Sequence, residues 1–113
     1  MNCTIWAKVT TTFKGLHHWA TCPAGHVHEH LRNPHRHLFH VAVWIEQAHD
    51  DRDIEYLEFK DWLDLLCTAK LSEGRSCEMM CAELHKQIAV RYARRMKIEV
   101  TEDGENGALV EFP

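Results

Sequence analysis

The sequence predicts an α+β domain in which two strands, two helices and two further strands follow one another along the chain. Three observations predict it. The first half contains two stretches with period-2 alternation, and the middle contains two with apolar residues at helical spacing. Two short β-branched runs separated by a Gly-rich turn close the chain. Strand pairs flanking a helical middle favour an antiparallel sheet with segregated helices. A chain of 113 residues is the size of one domain, so residues 1–113 are read as a single unit.

Each element has its own warrant. From Cys3 to Phe13, the residues Cys3, Ile5, Ala7, Val9 and Phe13 fall on one face and Thr4, Lys8, Thr10 and Thr12 on the other, as in a half-buried strand. Trp6 interrupts the polar face and is a candidate contact for a partner subunit. Gly15 is expected to end or bulge the strand. Residues 20–34, with Pro23, Gly25, Asn33 and Pro34, read as a long loop, and long loops in small domains tend to be functional or disordered. A second strand covers about His35 to Gln47, with His35, His37, Phe39, Val41, Val43 and Ile45 on one face and Arg36, Leu38, His40, Ala42 and Trp44 on the other. After the polar turn "AHDDRD", Phe59, Trp62, Leu63 and Leu66 mark an amphipathic helix that "LSEGR" breaks. Ser76 is the expected N-cap of the next helix, with Glu78 near its positive end. Met80, Cys81, Leu84, Ile88 and Tyr92 form that helix's apolar stripe. Ile98 and Val100 begin a third strand, "EDGENG" is a turn, and Ala108 to Phe112 form the fourth strand.

The totals exclude several function classes. A formal net charge of −4 gives no global positive field for nucleic acid. The cluster Arg91, Arg94, Arg95 and Lys97 reads as the basic C-terminal end of a helix. No apolar run approaches the ~20 residues of a membrane span. The N-terminal segment lacks the charged-then-apolar pattern of a signal peptide. Five cysteines without a CxxC pair argue for reduced thiols in a cytoplasmic protein.

The unusual feature is histidine, because eight of the ten lie between His17 and His40. Residues i and i+2 of a strand point the same way, so His35 and His37 can chelate one ion, while His40 points to the opposite face. The third ligand then comes from a neighbouring strand: His17 if Gly15 leaves the register intact, His18 if it shifts it. Three neutral imidazoles with a vacant fourth position describe a catalytic zinc site. An isolated HxH pair is a weak signal, and a His-rich segment can bind transition metals loosely. Here the rings abut apolar faces at equal parity in two adjacent strands.

"FKGLH" followed by "HRHLFHVAVWI" resembles the F-x-A-x-H … H-G-H-N-Y-x-V-x-V pattern of the 6-pyruvoyl-tetrahydropterin synthase family, which includes the 6-carboxy-tetrahydropterin synthases of queuosine biosynthesis. "YLEF" resembles the segment before the family's first helix, with Glu58 in place of Asp. "RSCEMMCAEL" resembles P-T-S-E-x-x-A, and "IEVTED" resembles the final V-x-V-x-E-T strand. Four motifs in order span nearly the whole chain. The resemblance implies a tunnelling fold (T-fold) with a four-stranded antiparallel sheet and two helices on one face. It also implies assembly as a homo-oligomer (trimer, tetramer or hexamer) with sites between subunits. It implies Zn2+ on His17, His35 and His37, and a pterin anchored by Glu102. The alternative for Glu102 is a solvated acid beside a turn. Ser76, Cys77 and Glu78 map onto a pterin-lining segment and also suit helix capping.

Two departures bear on chemistry. The family's catalytic cysteine precedes its HxH pair, whereas the window "HEHLRNPH" has none. Glu29 stands six residues before His35 and is the candidate general base, with an exposed loop acid as the alternative. Cys22 and the pair His28 and His30 are further candidates. The family's L-D-H-x-x-L-N segment between the helices is absent, and His85 lies too far into the second helix to replace it. The expected activity is that of a zinc-dependent lyase acting on the side chain of 7,8-dihydroneopterin triphosphate, with Arg32 and Arg36 beside the site as phosphate partners or as surface charges. The rival expectations are a non-catalytic zinc- or pterin-binding protein and a zinc hydrolase of another nucleotide-like heterocycle.

Overall fold

The computed structural model describes residues 2–71 and 75–113. The chain forms β1 (Trp6–His17), a 3-10 turn (Glu29–Arg32), β2 (His35–Glu46), α1 (Tyr56–Lys70), α2 (Cys77–Arg91), β3 (Met96–Glu102) and β4 (Asn106–Phe112). The four strands make one antiparallel sheet in the order β1-β2-β3-β4. Both helices pack on the same face, α1 over β1 and α2 over β3 and β4. The predicted α+β architecture and element order are therefore the observed ones.

Alternation decides which face is covered. Ala7, Val9 and Phe13 from β1 are buried together with Phe39, Val41, Val43 and Ile45 from β2 and Met96, Ile98 and Val100 from β3. Phe59, Leu63 and Cys67 of α1 and Met80, Cys81, Leu84 and Ile88 of α2 close over them. The helix ends are capped locally. Glu55 accepts the Glu58 amide at 2.7 Å before α1, and Ser76 Oγ accepts the Met79 amide at 3.1 Å before α2, satisfying donors that the first turn leaves unpaired. At the C-terminus of α1 the Leu71 amide donates to the Cys67 carbonyl, and residues 72–74 of the predicted break "LSEGR" lie outside the described residues.

One local expectation is corrected. Gly15 neither ends nor bulges the first strand: β1 runs unbroken to His17, with Gly15 opposite His37 and His17 opposite His35. The glycine is there because Phe13 and Phe39 face each other across the strands and stack at 5.2 Å between centroids. A Cβ on Gly15 would lie 3.2 Å from each ring, so hydrogen is the substituent that leaves both rings in place. Trp6 is half-buried, with Lys97 Nζ 4.9 Å and the Arg95 guanidinium 5.4 Å from its ring centroid.

Candidate metal centre

The unbroken register decides the ligand set. His17 on β1 and His35 on β2 are directly opposite, and His37 lies two residues farther along β2 on the same face. Ring centroids are separated by 4.6 Å (His17–His35), 5.0 Å (His17–His37) and 4.9 Å (His35–His37). One nitrogen from each ring falls within 4.8 Å of the others, close enough to share a metal ion. Beneath them Phe39 presents its ring to His17 at 5.2 Å and to His37 at 5.8 Å. The cluster thus sits on an apolar floor at the open end of the core. His18, the other third-ligand candidate, is exposed just past the end of β1 and is not one of the three clustered histidines.

Hydrogen bonds orient all three rings. Nδ1 of His17 faces the Arg75 carbonyl at 3.3 Å, Nδ1 of His35 faces the Asn33 carbonyl at 2.9 Å, and Nδ1 of His37 faces Asp103 Oδ2 at 2.7 Å. At His35 and His37 the oxygen acceptor at Nδ1 draws the proton of the neutral ring there and leaves the Nε2 lone pair for a metal, the usual arrangement of ligating histidines, whereas His17 has an oxygen near each nitrogen. Nε2 of His37 is buried without a hydrogen-bond partner. An orphaned buried acceptor beside two further imidazoles is what a metal-binding donor set requires. Burial holds the His17 pKa below its ordinary value, and the neighbouring His35 and His37 push the same way against Glu102. His17 is therefore biased to the neutral form that ligates metal.

Glu102 belongs to this site. It ends β3 opposite Phe39, so it shares the histidines' face. One carboxylate oxygen lies 3.0 Å from His17 Nε2 and the other 3.6 Å from His37 Nε2. A cavity of about 270 Å3 is lined by His17, His35 and Glu102 together with Ser76, Cys77 and Glu78 at the start of α2. The helical segment singled out in the sequence thus meets two of the three clustered histidines in one space, and Ser76 keeps its capping bond there. The Cys77 thiol is pushed up to about 11 by burial, with Glu102 and Glu78 adding to the effect, so it is a neutral thiol at physiological pH.

The loop candidates stand elsewhere. Glu29 and Arg32 line an adjoining cavity of about 430 Å3. There Glu29 accepts the Gly25 amide at 3.2 Å and faces Arg32 at 3.6 Å. Cys22 is buried within the loop, its thiol 3.8 Å from the carbonyls of Pro23 and His28. His28 is exposed between the rings of His26 and His30. His18 lines both cavities and forms their common rim. Arg36 is exposed and alternates away from the histidine face. His85 stacks flat on Phe112 at 3.9 Å. A cavity of about 620 Å3 runs along the opposite face of the sheet beside Thr10, Thr12, His40 and Trp44, away from the three histidines.

Sequence reasoning missed Asp103. This residue follows Glu102 in the β3–β4 turn with φ of +56°, and Gly104 follows at +74°, the positive-φ pair favoured by Asp-Gly hairpin turns. Hydrogen bonds from His37 and from the Leu38 amide hold its carboxyl below the ordinary carboxylate range. The Asp-Gly dipeptide beside Glu102 was the available signal. No family model and no curated protein matches the chain.

Proposed function

We propose that the protein is a zinc-dependent lyase of the tetrahydropterin synthase type, acting on the side chain of 7,8-dihydroneopterin triphosphate or a related dihydropterin. The observation that carries this reading is the cavity that joins His17 and His35, two of the three clustered imidazoles, to Glu102 and the first turn of α2, with His37 completing the cluster. An all-imidazole donor set suits zinc among the common biological ions, and His17, His35 and His37 would hold it. When bound, zinc supplies Lewis acidity toward an oxygen of the substrate side chain. Glu102 accepts N–H groups from the edge of a flat heterocycle, while Ser76, Cys77 and Glu78 form the wall against which the ring lies. The proton moves through His18 on the rim or Glu29 beyond it, since Cys77 is held protonated. In a tunnelling-fold homo-oligomer the exposed edges, β1 and β4, pair between subunits and so are not left open to aggregation. No helix among the described residues is long and apolar enough to cross a membrane, which accords with a small soluble substrate.

A second reading is favoured by one observation: Cys22, Glu29 and His28 all stand outside the histidine cavity. On that reading the site binds zinc and a pterin without turning the pterin over. Zinc-loaded protein incubated with 7,8-dihydroneopterin triphosphate separates the two, with pterin products followed by chromatography and mass spectrometry. The lyase reading expects a pterin with an altered or shortened side chain. It also expects Glu102→Gln to keep zinc while weakening pterin binding ~10–100-fold, the worth of one charge-assisted hydrogen bond. Binding without turnover leaves the second reading. Release of orthophosphate or ammonia identifies a hydrolase, and absence of pterin binding overturns the proposal.

A further inference from the structure

We infer that Asp103 is a positioning residue for the metal centre: its carboxylate fixes the tautomer and orientation of His37, so that one β-turn sets both a ligand and the neighbouring Glu102. The inference rests on the reading of His17, His35 and His37 as one metal site. Of the three acceptors that face Nδ1 atoms in this cluster, two are backbone carbonyls and only the Asp103 acceptor is a side chain and an anion. It is also the closest of the three, at 2.7 Å.

The turn is tied to β2 at three points. Asp103 Oδ2 accepts from His37 Nδ1, Oδ1 accepts the Leu38 amide at 3.0 Å, and the Asp103 amide donates to the Leu38 carbonyl at 2.7 Å. Both carboxylate oxygens therefore have a fixed donor, and the side chain cannot rotate away from His37 without losing the Leu38 bond. An acceptor-only group at Nδ1 places the ring proton there, and the buried Nε2 then offers its lone pair into the cluster. Because Glu102 and Asp103 are consecutive, the same clamp places the Glu102 carboxylate against His17 and His37. Metal ligation and the ligand-facing acid are thus set by one hairpin end.

The substitution Asp103→Asn isolates this role. Asparagine tolerates positive φ, and its amide oxygen can still accept from Leu38. Its NH2 group then faces His37 as a donor, which requires Nδ1 to accept and moves the ring proton to Nε2, the metal-facing atom. The experiment has two readouts on the full chain. Zinc affinity, measured by competition with a chromophoric chelator, is expected to fall ~10–100-fold in Asp103→Asn. Nitrogen-detected NMR of the imidazoles at pH 8, before zinc is added, is expected to show His37 protonated at Nδ1 in the wild type and at Nε2 in Asp103→Asn. A purely structural role for the turn would not move the tautomer. Zinc affinity within twofold of wild type in a folded Asp103→Asn protein overturns the inference, and so does an Nε2-protonated His37 in the wild type. Should the variant fail to fold, the wild-type spectrum alone still decides. Should the wild type bind no zinc, the metal reading fails while the tautomer measurement still reports on Asp103.

Discussion

Thermal stability should track free zinc with a slope fixed by the size of the chain and the number of ions it holds. A ligand that binds only the folded state stabilises it by RT ln(1 + [L]/Kd), so above the dissociation constant each tenfold rise in free zinc adds ~1.4 kcal/mol. At ~2.1 cal/mol/K per residue, the 113-residue chain unfolds with an entropy of ~240 cal/mol/K, and each decade of zinc therefore raises the midpoint by ~6 °C. The three histidines form the one qualifying ligand group among the described residues, so a single-ion slope is expected. The assay is a set of melts followed by circular dichroism in metal buffers that step free zinc over several decades. His35→Ala and His37→Ala are the informative controls, because both side chains are half-buried and their loss leaves the core beneath intact. His17 is 8% exposed over Phe39, and its truncation would lower the baseline for packing reasons as well. A midpoint unchanged by zinc would refute the three-ligand site. An equal rise in His35→Ala would assign the zinc to the exposed histidines of the loop, and a slope near ~12 °C per decade would mean two ions rather than one.

Two further outcomes follow from the same geometry. Since burial holds the folded-state pKa of His17 below its ordinary value, the unfolded chain binds the extra proton as pH falls through ~6.5. Metal-free protein should therefore lose stability toward acid over that window, and a melting temperature that rises between pH 7.5 and 5.5 would contradict this. Gly107→Ala should be severe, because a Cβ there would lie 1.9 Å from the Val100 carbonyl oxygen, a backbone atom that cannot move aside alone. Overpacking of ~1–3 kcal/mol lowers the midpoint by ~4–13 °C, and the displaced β3–β4 hairpin should also weaken zinc binding through Glu102 and Asp103. A variant melting within 2 °C of wild type would show that the hairpin relaxes freely.

What could be read in advance was whatever backbone geometry transmits along the chain. Side-chain parity carried His35 and His37 to one face and excluded His40, and it named His17 once Gly15 was known to keep the register. Glu102 was reached only through the family resemblance, although it shares parity with Ile98 and Val100, which are buried on the covered face. Helical periodicity and the serine cap placed Ser76 and Cys77 at the start of α2, but not within reach of the histidines, since that contact depends on how α2 crosses the sheet. Residues 20–34 have no period to transmit direction. Counting back from His35 selected Glu29 by number, yet the chain folds through a 3-10 turn that pairs Glu29 with Gly25 and Arg32. Asp103 marks the same limit from the other side: at positive φ, alternation stops, and a turn residue is aimed by what it bonds. Its target, His37, lies 66 positions away. The reach of sequence reasoning therefore ended where regular backbone ended, and the residues that choose between a ligating site and a reacting one lie on the far side of that line, in the loop before β2 and the turn after β3.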